Sequence, residues 1–155
     1  MVRPVLLLAL ATSAFAADTR FEISYPVSVK AGPLTGRVFI MISRDAEREP
    51  RLEIGRVGVP FFGRDFEKLA PGQAAVIDAT DLGTPVESIA QIPPGDYYVQ
   101  AFLNIYSEFK RADGHTVWMH DDQWEGQRWN RSPGNLYSTP KKITLDASKG
   151  YKISL

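Results

Sequence analysis

Two histidines, His115 and His120, are followed closely by Asp121, Asp122 and Glu125. Imidazole nitrogens suit transition metals and carboxylate oxygens suit calcium, so a metal site would be sought here first. The spacing argues against one. The histidines are five apart, and on a regular strand an odd separation sets them on opposite faces. They cannot grip one ion without a bend between them, and the acids do not follow the EF-hand loop pattern. The expectation is solvated loop carboxylates and hairpin histidines, with no metal and no cofactor. Cysteine is absent, which excludes thiol catalysis, Cys-based zinc or iron–sulfur centres, and disulfides. No G-x-S-x-G elbow, H-E-x-x-H pair or phosphate-binding glycine loop occurs. No catalytic residue is assigned, and no enzymatic activity is expected of this chain.

The second candidate is aromatic. The three tryptophans Trp118, Trp124 and Trp129 are interleaved with Gln123, Glu125, Arg128 and Asn130. Indole faces beside amides and charges can stack on a carbohydrate or other small ligand and hydrogen-bond it. Large amphipathic rings also pin loops onto sheets, and that structural role is the preferred expectation. Ligand binding by Trp118, Trp124, Trp129, Arg128 and Asn130 is kept as the alternative. Asn130-Arg131-Ser132 matches a glycosylation sequon, but Pro133 follows it and it is discounted.

These residues lie beside one long alternating stretch, residues 92–106 (IPPGDYYVQAFLNIY). Two prolines and a glycine make a turn. Tyr97, Val99, Ala101, Leu103 and Ile105 then share one face, all apolar. Tyr98, Gln100, Phe102, Asn104 and Tyr106 share the other, a mixed aromatic and amide face. A period of two over this length predicts a strand with one face in a core. The mixed face is expected to pack under a loop or dock a partner.

Residues 21–25 alternate and end at Pro26, a first strand. Residues 36–43 are apolar on both faces and predict a central strand. The charge run 44–51 reads as a solvated loop. Residues 51–59 read as a weak strand broken by the 60–63 segment. Phe66 and Leu69, three apart, suggest a helical turn. Residues 74–77 form a short strand, and a further helical turn is expected within 84–90. Asp113-Gly114 signals a two-residue type I′ hairpin, which pairs Phe109 with Trp118. Residues 142–146 and 151–155 are the last strands. The sum is an antiparallel all-β sandwich of about seven or eight strands, immunoglobulin-like or prealbumin-like.

Residues 1–16 read as a secretory signal peptide: Arg3, an apolar run over 5–10, then Ala14-Phe15-Ala16. Residues 17–155 are one domain's worth, and the protein is expected to be exported, periplasmic or extracellular. The 18 basic residues match 18 acidic ones, and Arg3 falls in the leader, leaving one more acid than base. That balance gives no reason to expect nucleic acid as a partner. No further apolar run reaches membrane-spanning length.

Three blocks carry a family resemblance: residues 32–45 (GPLTGRVFIMISRD), 92–118 (IPPGDYYVQAFLNIYSEFKRADGHTVW) and 122–138 (DQWEGQRWNRSPGNLYS). Together they resemble the N-terminal β-sandwich that precedes the catalytic domain in exported, esterase-like proteins of the α/β-hydrolase fold. The PPG-D-Y-x-V-Q-A fragment alone is shared by many prealbumin-like sandwiches. The resemblance implies an accessory, non-catalytic module, with a hydrolase domain in the same or a neighbouring chain as partner. That domain's serine, acid and histidine are not in this sequence, so no catalytic residue is carried over. The final strand runs to Leu155 without a polar tail, and a module of a longer chain is expected.

Overall fold

The computed structural model describes residues 19–121 and 128–155. The leader expected over residues 1–16, and Asp122, Gln123, Trp124 and Glu125, lie outside them.

The alternating stretch is the spine of the molecule. It forms a strand of 16 residues, Gly95–Lys110, the sixth of ten strands. In chain order the others are β1 (Arg20–Ser24), β2 (Leu34–Ser43), β3 (Phe61–Leu69), β4 (Ala75–Ile77), β5 (Gly83–Thr84), β7 (Thr116–His120), β8 (Leu136–Tyr137), β9 (Lys141–Leu145) and β10 (Gly150–Ser154). The fold is an all-β sandwich. A large sheet runs β5-β3-β2-β6-β7, with β8 and β9 also on β6, and a small one runs β10-β1-β4. All pairings are antiparallel except β1 with β10, which is parallel.

The core lies between the sheets. Val99, Ala101 and Leu103 of β6 and Val38, Ile40 and Ile42 of β2 face Phe21 and Ile23 of β1 and Ile77 of β4. Each is essentially solvent-free, and the row is the one the period of two picks out. The apolar run of β2 is covered on both sides, because Phe39 and Met41 point outward into a second, smaller cluster with Phe102. Gly63 makes room for that cluster: a Cβ there would sit 2.5 Å from the Phe39 ring.

Three local expectations are corrected, and a fourth is met at the end of its range. Residues 51–59 are not a strand; a single 3-10 turn at Pro50–Leu52 opens an irregular loop. Phe66 and Leu69 belong to β3, not to a helical turn. They face the core three residues apart because a register shift against Leu34 and Gly36 inserts a residue, with Lys68 left-handed at φ 50°. The helical turn expected within 84–90 is Ile89–Gln91, closed by a Ser88 capping box, and β5 precedes it.

The hairpin register is one residue off the expected one. Phe109 faces Val117, and Trp118 faces Glu108. A type I′ turn needs positive φ at both central residues, but only Gly114, at φ 85°, has it. Gly114 N–H bonds to Arg111 O, and Arg111 N–H to His115 O. The loop is therefore three residues, a turn followed by a left-handed glycine, and the slip moves Trp118 to the other face from Phe109.

Candidate functional site

Strand β6 carries the mixed face and pairs with β7, which carries Trp118. One edge is held by β2 along residues 98–105, and the other is shared by β9 (residues 95–99) and β8 (residues 102–103). Between β9 and β8 the ladder continues through Ser138, whose Oγ accepts from Ala101 N–H and whose own N–H bonds to Ala101 O. Beyond β8, Asn135 Oδ1 accepts from Ile105 N–H. Past Ile105, β6 is paired only with β7 among the described residues, so β6 and β7 form a two-stranded arm at the end of the large sheet.

The mixed face of β6 is occupied at its centre by the chain itself. Gln100 is fully buried; its Oε1 accepts from Arg51 N–H at 3.0 Å, and its Nε2 donates to Ser138 O at 2.8 Å and Glu49 Oε2 at 3.1 Å. The Gln100 bond, and then Arg51, hold the Glu49 carboxyl below the usual carboxylate range. Phe102 lies under the edge of Trp129, centroids 5.5 Å apart, and Trp129 stacks on Phe39 at 4.6 Å. Asn130 Nδ2 donates to Arg51 O at 2.7 Å, and Arg51 Nη1 donates to Asn130 O at 2.9 Å. The charge run is thus not wholly a solvated loop: Arg51 ties the 49–52 turn to the 129–131 turn. Of the face proposed for docking, Gln100, Phe102 and Asn104 are buried, and only Tyr98 and Tyr106 at its ends are half-buried.

The candidate ligand residues are dispersed. Trp129 and Asn130 pin a loop onto the sheet, Arg128 is exposed, and Trp124 lies outside the described residues. Trp118 sits out on the arm, 47% exposed. It shares the arm with Phe109 (37%) and Met119 (53%), and with half-buried Val117. Alternation puts Phe109, Val117 and Met119 on the core-facing side of β6 and Trp118 on the opposite side. The arm therefore shows apolar side chains on both faces.

The histidines part in space as in sequence. His115 is exposed and lies 3.3 Å from Asp113 Oδ1. His120 Nε2 is 3.0 Å from Ser132 Oγ, the spacing of a nucleophile–base pair. Ser132 Oγ also lies 3.2 Å from Arg128 O, which competes for the hydroxyl proton. Among the described residues His120 Nδ1 is buried without a partner, and no third group orients the ring as it would a catalytic base. Tyr106 O–H donates to Asp65 at 3.0 Å, and Asp65 pairs with Arg37 at 3.1 Å. Burial, then Asp65, raises the Tyr106 hydroxyl pKa above its ordinary value. Among the described residues no three His, Asp or Glu side chains converge as a metal site, and no helix is long and apolar enough to cross a membrane.

Sequence reasoning missed Arg51, Glu49, Ser138 and Asn135. Their partners are 30 to 79 residues away, and no local pattern marks them. Comparison with known proteins finds no matching family, no similar curated protein and no similar solved structure.

Proposed function

We propose that this chain is a non-catalytic interaction module that works beside an exported, esterase-like hydrolase and meets it with the β6–β7 arm. The observation that carries this reading is the arm. A two-stranded ribbon is marginal alone in water. This one exposes Phe109, Trp118 and Met119, while the centre of the mixed face, Gln100, Phe102 and Asn104, is packed against its own chain. Strand β7 (TVWMH) has no Lys, Asp, Glu or Pro, the residues that usually blunt an open sheet edge. Among the described residues no strand pairs with the far edge of β7, and an uncharged edge with aromatic side chains suits a protein partner by strand addition and aromatic anchoring. The hydrolase enters through the resemblance of residues 32–45, 92–118 and 122–138 to modules that precede such domains.

The test joins genetics and binding. The reading frame, or a gene beside it, should encode an esterase-like domain. Titrating that domain into the protein calorimetrically should give saturable binding, weakened at least about tenfold by Phe109→Ser with Trp118→Ser. Turnover of p-nitrophenyl acetate by this protein alone, or binding indifferent to the two substitutions, would overturn the reading. A response to oligosaccharides centred on Trp118 would favour the ligand-binding alternative instead.

A further inference from the structure

At the end of the sandwich opposite the arm, a cleft of about 270 Å³ opens between the end of β2, the start of β6 and the loops before β3 and β6. Its apolar walls are Ile42, Val59, Pro60, Val86, Ile92 and Pro93, and the one amide side chain lining it, Gln91, has its Oε1 taken by Ser88 N–H. Arg44 stands at the mouth. Its guanidinium carbon lies 4.7 Å above the Tyr97 ring, and its Nη2 donates to the Tyr97 hydroxyl oxygen at 2.8 Å. Tyr97 is itself fixed: the ring is buried and its hydroxyl proton goes to Pro93 O at 2.8 Å. Arg44 forms no ion pair among the described residues. The nearest acid in sequence, Asp45, is engaged by Glu47 N–H.

We infer that this cleft binds a small amphipathic monocarboxylate, with the carboxylate on Arg44 and a compact apolar body against Val59, Val86 and Ile92. Three features point the same way. Apart from Gln91 the walls are apolar, so the body must be. Among the described residues the only charged side chain lining the cleft is Arg44, without an ion-pair partner there, and a guanidinium presents a planar fork of donors that matches a carboxylate. Stacking and the Tyr97 bond hold that fork in place before a ligand arrives, so little side-chain freedom is lost on binding. The volume of about 270 Å³ falls just below the roughly 300–1,000 Å³ of ordinary ligand pockets and, since a cavity of roughly 150 Å³ admits benzene, it accommodates a body of one ring with room to spare.

A second cleft makes the contrast. It is lined by Arg37, Phe39, Phe61 and Leu82, and its arginine is already paired with Asp65 at 3.1 Å. It offers a carboxylate no free cation, and no ligand is assigned to it.

The experiment is a ¹H–¹⁵N titration of the intact protein with phenylacetate, phenylacetamide and acetate. Phenylacetate should give saturable shifts at Val59, Val86 and Ile92. Phenylacetamide, which keeps the ring and removes the charge, should bind about tenfold more weakly or less, and acetate should not saturate. Arg44→Gln should weaken phenylacetate by the same factor. Val86→Phe, which fills the cleft and leaves the charge, should abolish the shifts. Equal binding of acid and amide, shifts elsewhere, or none up to the solubility limit would each overturn the inference. The ligand pair decides the matter on the unaltered protein even if a variant fails to fold.

Discussion

Replacing Gln100 is the most informative perturbation of the mixed face. The side chain is solvent-free and bonds three partners: Arg51 N–H, Ser138 O and the Glu49 carboxylate. Glu49 has 39% of its side chain exposed and regains water when the amide is lost, so it adds little. The Arg51 amide and the Ser138 carbonyl are left unpaired at a buried position, each at about 1–3 kcal/mol. Gln100→Ala should therefore cost about 2–6 kcal/mol, comparable with truncating a buried leucine. Gln100→Leu restores the volume without the hydrogen bonds and should remain within that range. Both are read from urea unfolding, comparing midpoints at constant m. If Gln100→Leu is neutral while Gln100→Ala is costly, only volume matters and the hydrogen-bond reasoning is refuted. If both cost under about 1 kcal/mol, the 49–52 turn does not close over this face.

Leu103→Ala should cost about 2–5 kcal/mol in the same assay, since Leu103 lies in the solvent-free row between the sheets; a harmless outcome would remove β6 from the centre of the core. Trp129→Ala should cost about 1.5–3 kcal/mol for a half-buried ring stacked on Phe39, whereas Trp118→Ala should stay within about 0.5 kcal/mol; the reverse order would contradict the placement of the two rings. Glu49 is held below its ordinary pKa, so its stabilising contribution is present above about pH 4.3 and is lost as pH falls through the folded value. Glu49→Gln should flatten the acid limb of a stability–pH curve, and an unchanged limb would sink that assignment.

What could be read from the residues, and what could not, divides along local and non-local physics. The core row of β6 is legible because alternation is a local signal that burial reinforces at every second residue. The outward row is not, because its polarity says only that a partner exists. Gln100 is satisfied by Arg51, 49 residues earlier, and by Ser138, 38 later. The hairpin register fails at Asp113-Gly114 because that dipeptide suits a two-residue turn and a three-residue loop equally, and only the φ of Asp113 separates them. Phe66 and Leu69 mimic a helical spacing because a bulge shifts the period of two by one. The pinning role of Trp129 follows from ring size and amphipathic character. The Arg44 cleft does not follow from any spacing, since the strand ends and loops that form it meet only in the fold.

The central claim is that the β6–β7 arm is the contact surface for a hydrolase partner. Amide hydrogen exchange of the intact protein, alone and with the esterase-like domain encoded with it or beside it, tests this most directly. Free in solution, amides of residues 107–119 should exchange much faster than those of residues 98–104, which β2 and the core protect. With the partner bound, residues 107–119 should gain protection while the rates of residues 98–104 stay as they were. Protection gained on another surface, with the arm still exchanging as in the free protein, would contradict the account.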